Sequence, residues 1–91
     1  MRRAAKTDAN QKIIVEGLRA LGCTVQPLHA VGKGCPDLLV GFHGQNFLLE
    51  VKTPSGKMTK DENEWLFQWY GQIAIVRTLD EALNVVGIRI Q

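Results

Sequence analysis

Apolar residues near the start of the chain recur at helical spacing. Ile14, Leu18 and Leu21 share one face. That spacing predicts a helix from about Asp8 to Leu21, with Gly22 as its stop. Thr24 to Leu28 reads as a short strand, and His29 to Cys35 as a glycine-containing loop. Two apolar runs follow, Asp37-Leu-Leu-Val40 and Phe47-Leu-Leu-Glu-Val-Lys52, separated by Gly41-Phe-His-Gly-Gln45. Short strands joined by a glycine-bearing turn predict an antiparallel hairpin. Thr53-Pro-Ser-Gly56 breaks the next strand. Thr59 is placed to cap a second helix, with Glu62 at the capping-box position. That helix is expected to reach about Tyr70, with Gly71 ending it. Ile73 to Arg77 predicts a strand, Leu79 to Val86 a short helix started by Thr78 or Asp80, and Ile88 to Ile90 a last edge strand. The expected fold class is α/β, an α+β mixed sheet flanked by helices, in one domain over residues 1–91.

Three charges interrupt the apolar strands: Asp37, Glu50 and Lys52. Desolvating a charge costs several kcal/mol unless a partner offsets it. Side chains alternate faces along a strand, so Glu50 and Lys52 share a face and Val51 takes the other. If Gly41 pairs near Asn46, Leu39 faces Leu48 and Asp37 faces Glu50. Directly opposed residues have Cβ atoms roughly 5 Å apart. Two carboxylates that close call for a cation. A slip of one residue would send Asp37 to the wrong face.

Hard divalent cations take oxygen ligands and keep several waters. Asp37, Glu50 and the backbone carbonyl of Val51 are the expected ligands of Mg²⁺ or Mn²⁺. Such an ion polarises a phosphoryl oxygen and acidifies a water. Lys52, beside Glu50, is placed to orient that water or to neutralise charge in the transition state. The pattern points to phosphodiester hydrolysis.

Pro36-Asp37 followed across a hairpin by Glu50-Val51-Lys52 resembles the PD-(D/E)XK nuclease superfamily. More narrowly, the chain resembles the VRR-NUC branch in its small stand-alone form. Gly34-Cys-Pro-Asp-Leu-Leu-Val40 is similar to that family's G-x-P-D strand. Gly56 to Glu62, then Trp65, resembles its helix after the lysine strand, and Ile75-Val-Arg-Thr78 its Val-Arg strand. The resemblance covers nearly the whole chain and implies a restriction-endonuclease-like core of order αβββαβ, with a short C-terminal helix and edge strand. It implies a metal-dependent endonuclease acting on DNA, structure-selective for branched DNA or Holliday junctions. Two departures bear on substrate preference. The family's usual Gln on the second helix is here Glu62, and Val-Arg-Arg is here Val76-Arg77-Thr78. Many relatives place an acid on the first helix. The matching position is Gln11, which is neutral, with Glu16 a turn later as the alternative; which of the two completes the site stays open.

The formal charge of +2 says little about nucleic acid, but its distribution says more. Arg2, Arg3 and Lys6 cluster at the start, Lys33 precedes Asp37, and Lys57 and Lys60 follow Lys52. These are candidate phosphate contacts, against the plainer reading of a solvated mixed surface. No run is long enough to span a membrane, the start lacks a signal-peptide core, and two cysteines make no disulfide framework. A cytoplasmic setting is expected, the host's cytoplasm if the chain is phage-encoded.

Cys35 and His43 do not complete a zinc set. Gly32-Lys-Gly34 lacks the residues of a nucleotide-binding loop, so no nucleotide cofactor is expected. His29 is a candidate general acid, or simply a loop histidine. Trp65, Leu66, Trp69 and Tyr70 form a wide apolar stripe, which suggests a homodimer burying part of it. Two alternatives to a nuclease stand beside it. One is a nucleic-acid binding module with weak or no catalysis. The other is an assembly protein using the aromatic helix, which leaves the hairpin charges unexplained.

Overall fold

The computed structural model describes the backbone of residues 2–89 and the side chains of residues 9–89. Helix α1 (Arg2–Ala20) starts earlier than its apolar positions suggest. The Ala, Arg and Lys residues before Asp8 are strong helix formers and carry it backward. Strand β1 (Thr24–Pro27) pairs antiparallel with β2 (Leu38–Phe42), which pairs antiparallel with β3 (Gln45–Val51). Helix α2 (Lys60–Gln68) crosses over to β4 (Ala74–Val76), which lies parallel to β3. Helix α3 (Leu79–Val86) follows, capped by Thr78, whose side chain accepts the Glu81 N–H. The strands run β1-β2-β3-β4 across one mixed sheet.

The hairpin register is the expected one, with Gly41 opposite Asn46 and Leu39 opposite Leu48. Its turn is tighter than the five-residue loop read from the sequence. Only His43 and Gly44 lie between the strands, and both have positive φ, +50° and +77°. Two such residues make a primed turn whose twist matches the strands.

The core lies between the sheet and helices α1 and α3. Ile14 and Leu18 of α1, Leu38 and Val40 of β2, Leu49 and Val51 of β3, Val76 of β4, and Leu83 and Val86 of α3 are buried together. Alternation therefore turns Asp37, Leu39, Leu48, Glu50 and Lys52 toward the opposite face.

Two expectations at the C-terminal side are corrected. Helix α2 stops at Gln68, not Tyr70, and Gly71 is not its stop. Trp69 is extended, its indole stacks on Trp65 with ring centroids 4.7 Å apart, and its Nε1–H donates to the Gln72 carbonyl. The edge strand is also not formed at Ile88 and Arg89. Gly87 adopts a left-handed conformation and the Ile88 N–H donates to the Leu83 carbonyl, closing α3 instead of pairing with the sheet. Ile90 lies outside the described residues. Among the described residues no helix is long and apolar enough to cross a membrane.

Candidate active site

Asp37 stands just before β2 and Glu50 near the end of β3. Continuing the ladder one step beyond Leu38–Leu49 sets them opposite each other. Asp37 is held there from two sides. Its carbonyl accepts the Leu28 N–H, and its Oδ2 accepts the Val51 N–H at 2.8 Å. The N–H and C=O of one strand residue leave on the same side. The Val51 carbonyl is thus directed toward Asp37 as well. Glu50 is only 3% exposed, a carboxyl sunk among apolar strands.

Lys52 lies on the same face. Its Nζ is 3.6 Å from Glu50 Oε2 and donates to Glu62 Oε1 at 2.5 Å. That same Glu62 oxygen accepts the Thr59 N–H, while Thr59 Oγ1 accepts the Glu62 N–H. The capping box expected at the start of α2 is therefore formed, and it ties that helix to Lys52. Gly34 lets the preceding loop reach the same spot. Its φ is +82°, and any Cβ there would collide with the Asp61 carbonyl at the start of α2.

Three carboxyls face one ammonium here, and the protonation equilibria register it. Burial, then the charges of Asp37 and Glu62, push Glu50 up to about 9. Burial also raises Asp37, against the Val51 N–H, which favours its charged form. Burial works the same way on Glu62, but the Lys52 ammonium and the Thr59 N–H hold it below the ordinary carboxylate range. Cys35, at the rim, is raised by burial and then by Glu50 and Asp37, which makes it a poor nucleophile.

Two residues that shape the site were not singled out for it from the sequence. Asn10 of α1 donates through Nδ2 to the Lys52 carbonyl at 2.8 Å and the Arg77 carbonyl at 3.2 Å. It joins the ends of β3 and β4 to the helix. Arg77, the arginine of the Val-Arg pair, donates to the backbone of the loop that follows Lys52. A polar residue amid a helix and an arginine after a strand are too common to mark these roles in a sequence.

A cleft of about 540 Å³ opens beside Asp37, lined by Gln11, Lys12, Val15, Glu16, Arg19 and His29 as well. Gln11 and Glu16 thus both border it, as does His29. Glu16 is exposed and lies 3.9 Å from Lys12, whereas Gln11 is half-buried. Lys57 and Lys60 are exposed beyond Lys52. Lys33 is exposed too, in a cleft shared with Asp61 and Glu64, where acids compete with phosphate for it. The side chains of Arg2, Arg3 and Lys6 lie outside the described residues.

The donor set suits a hard cation. Two carboxyl groups converge with a carbonyl, one of them buried, with more negative charge than Lys52 can offset. Among the described residues no group of three or more His, Cys, Asp and Glu forms a fuller cage. An ion that retains most of its waters requires no such cage.

No protein-family model matches the chain, and no curated protein matches it in sequence. A solved structure described as a VRR_NUC domain is similar to it, with a TM-score of 0.66 and 26% identical residues. The match covers 89% of this chain and 94% of that one. That likeness, beside the carboxyl pair, the lysine and the Val-Arg strand in their expected order, supports a VRR-NUC identity and gives the chain the nuclease-like fold of such a domain.

Proposed function

We propose that the protein is a divalent-metal-dependent endonuclease that hydrolyses DNA phosphodiester bonds. The observation that supports this is the facing of Asp37 and Glu50, one of them buried, beside Lys52. A binding surface has no use for a facing acid pair, which repels phosphate.

Asp37, Glu50 and the Val51 carbonyl would hold Mg²⁺ or Mn²⁺. When bound, the cation supplies charge neutralisation at a phosphoryl oxygen and activation of the attacking water. Lys52 contributes a positive charge beside the reacting phosphate. Glu62 fixes the direction of that charge, so little reorganisation remains when the transition state forms. Gln11 borders the cleft on the α1 side and offers a neutral donor and acceptor to water. It favours a second reading, a nucleic-acid binding module that cleaves weakly, since it brings no third acid.

Branched DNA is the proposed substrate, cut by a homodimer that presents two sites. Phe67 is 85% exposed and Tyr70 98%, a surface of the kind a second copy covers. Incubation with branched, flapped and linear DNA, with Mg²⁺, Mn²⁺ or EDTA, tests the reading. Cleavage that requires the cation and prefers the branched substrate is expected. No cleavage of any of them with either metal would overturn it.

A further inference from the structure

Arg77 spends its guanidinium on the chain itself. Nη1 donates to the carbonyls of Thr53 and Gly56 at 2.7 Å each, and to that of Pro54 at 3.4 Å. All three oxygens are thereby drawn inward. The peptide unit is planar, and no cis bond occurs among the described residues. Each inward carbonyl therefore sends the next residue's N–H the opposite way. Pro54 has no N–H to send. Ser55 and Lys57 each have one, and neither meets a backbone acceptor among the described residues. Both residues are exposed. The outer side of the loop thus gathers two N–H groups, a hydroxyl and an ammonium, and residues 53–60 contain no acid. The next acid but one, Glu62, is turned onto Lys52.

We propose that the loop 53–57 is a seat for a phosphate of the DNA strand, next to the phosphate being cut. Arg77 is its positioning residue, acting through three carbonyls and not by touching DNA. Outward N–H groups recognise a phosphodiester without regard to base, and Lys57 adds charge to the same surface. The loop begins at the residue after Lys52, so a strand seated there continues past the carboxyl pair. Asn10 anchors the base of this arrangement, since it holds the Lys52 and Arg77 carbonyls together. The identity of the ligand as DNA rests on the function proposed above; the donor geometry does not.

The test is a titration of the ¹⁵N-labelled full chain with a short DNA duplex in EDTA, where no cleavage occurs. The Ser55 and Lys57 amide resonances are expected to shift, and a duplex with neutral methylphosphonate linkages is expected to leave them unmoved. Lys57→Ala should weaken binding several-fold and lower the slope of log affinity against log salt by about one. Arg77→Lys keeps the charge but cannot fork to three carbonyls, and should lose both amide shifts. Should that variant not fold, the wild-type and Lys57→Ala titrations decide alone. Silent Ser55 and Lys57 amides, or shifts with inorganic phosphate but not with DNA, would overturn the seat. Cleavage without these shifts overturns the seat alone; these shifts in a protein that never cleaves overturn the endonuclease reading alone.

Discussion

Asp37 and Val51 meet across the mouth of the central hairpin, the Oδ2 of one accepting the N–H of the other at 2.8 Å. One carboxyl thus closes the hairpin end and, in the proposed function, also offers a ligand oxygen. The tasks separate on substitution. Asp37→Asn retains an acceptor for the Val51 N–H but not the charge. It should unfold near the wild-type urea concentration while cleavage falls by about 100-fold or more. Asp37→Ala also strands a part-buried N–H, at a cost of about 1–3 kcal/mol. Equal urea midpoints for the two variants would show that the hydrogen bond does not stabilise the fold.

The carboxyl pair makes stability depend on pH in a defined direction. Glu50 ionises at about 9 in the folded, cation-free protein, against an ordinary 4.5. Between those values the folded state holds a proton that the unfolded state has released, so stability falls as pH rises through that window. Raised Asp37 acts in the same sense; lowered Glu62 acts oppositely, losing its contribution as pH falls through its acid range. Thermal melts in EDTA should therefore decline toward pH 9. Added Mg²⁺ should raise the melting temperature most at high pH, because binding must release the proton. Calorimetry in buffers of different ionisation enthalpy should detect that release.

Lys52→Ala should abolish cleavage and leave folding and DNA binding largely intact. Glu62→Gln keeps an oxygen for both the Thr59 N–H and the Lys52 ammonium, so activity is expected to survive in part. Glu62→Ala should lose more, chiefly in kcat, by freeing Lys52. Thr59→Ala weakens the same helix cap by about 1 kcal/mol without touching Lys52. Cleavage rates and melting temperatures of the two Glu62 variants and Thr59→Ala separate aim from stability. Equal cleavage by Lys52→Ala and wild type would show that the site is misassigned.

The aromatic segment after α2 gives the dimer its test. Light scattering should report a mass that rises with concentration toward twice the chain mass. Tyr70→Ser and Phe67→Ser should shift the balance to monomer. A monomer mass at every concentration would sink the dimer.

The hairpin and its acids were legible because a period of two leaves little freedom. Once Gly41 is set opposite Asn46, Asp37 must meet Glu50. Thr59 and Glu62 were legible as a cap for the same local reason. The end of α2 was not, since Trp69 and Tyr70 continue an apolar stripe, which the extended backbone of Trp69, stacked on Trp65 and bonded to Gln72, interrupts. Asn10 was least legible. Its partners lie 42 and 67 residues away, and an amide amid a helix looks like any solvent-facing polar residue. Arg77 belongs to a legible Val-Arg motif, but nothing in a sequence says that an arginine will face carbonyls.

Helix α2 has no buried residue. It is fastened by its cap, by Glu62 on Lys52 and by the fit of Gly34 beneath Asp61, while the core is built without it. Elements with few buried contacts open at a lower free energy than the whole fold. Warming would thus unlatch Glu62 from Lys52 while the sheet, α1 and α3 still stand. The fraction of molecules that are folded is then an upper bound on the fraction that are armed.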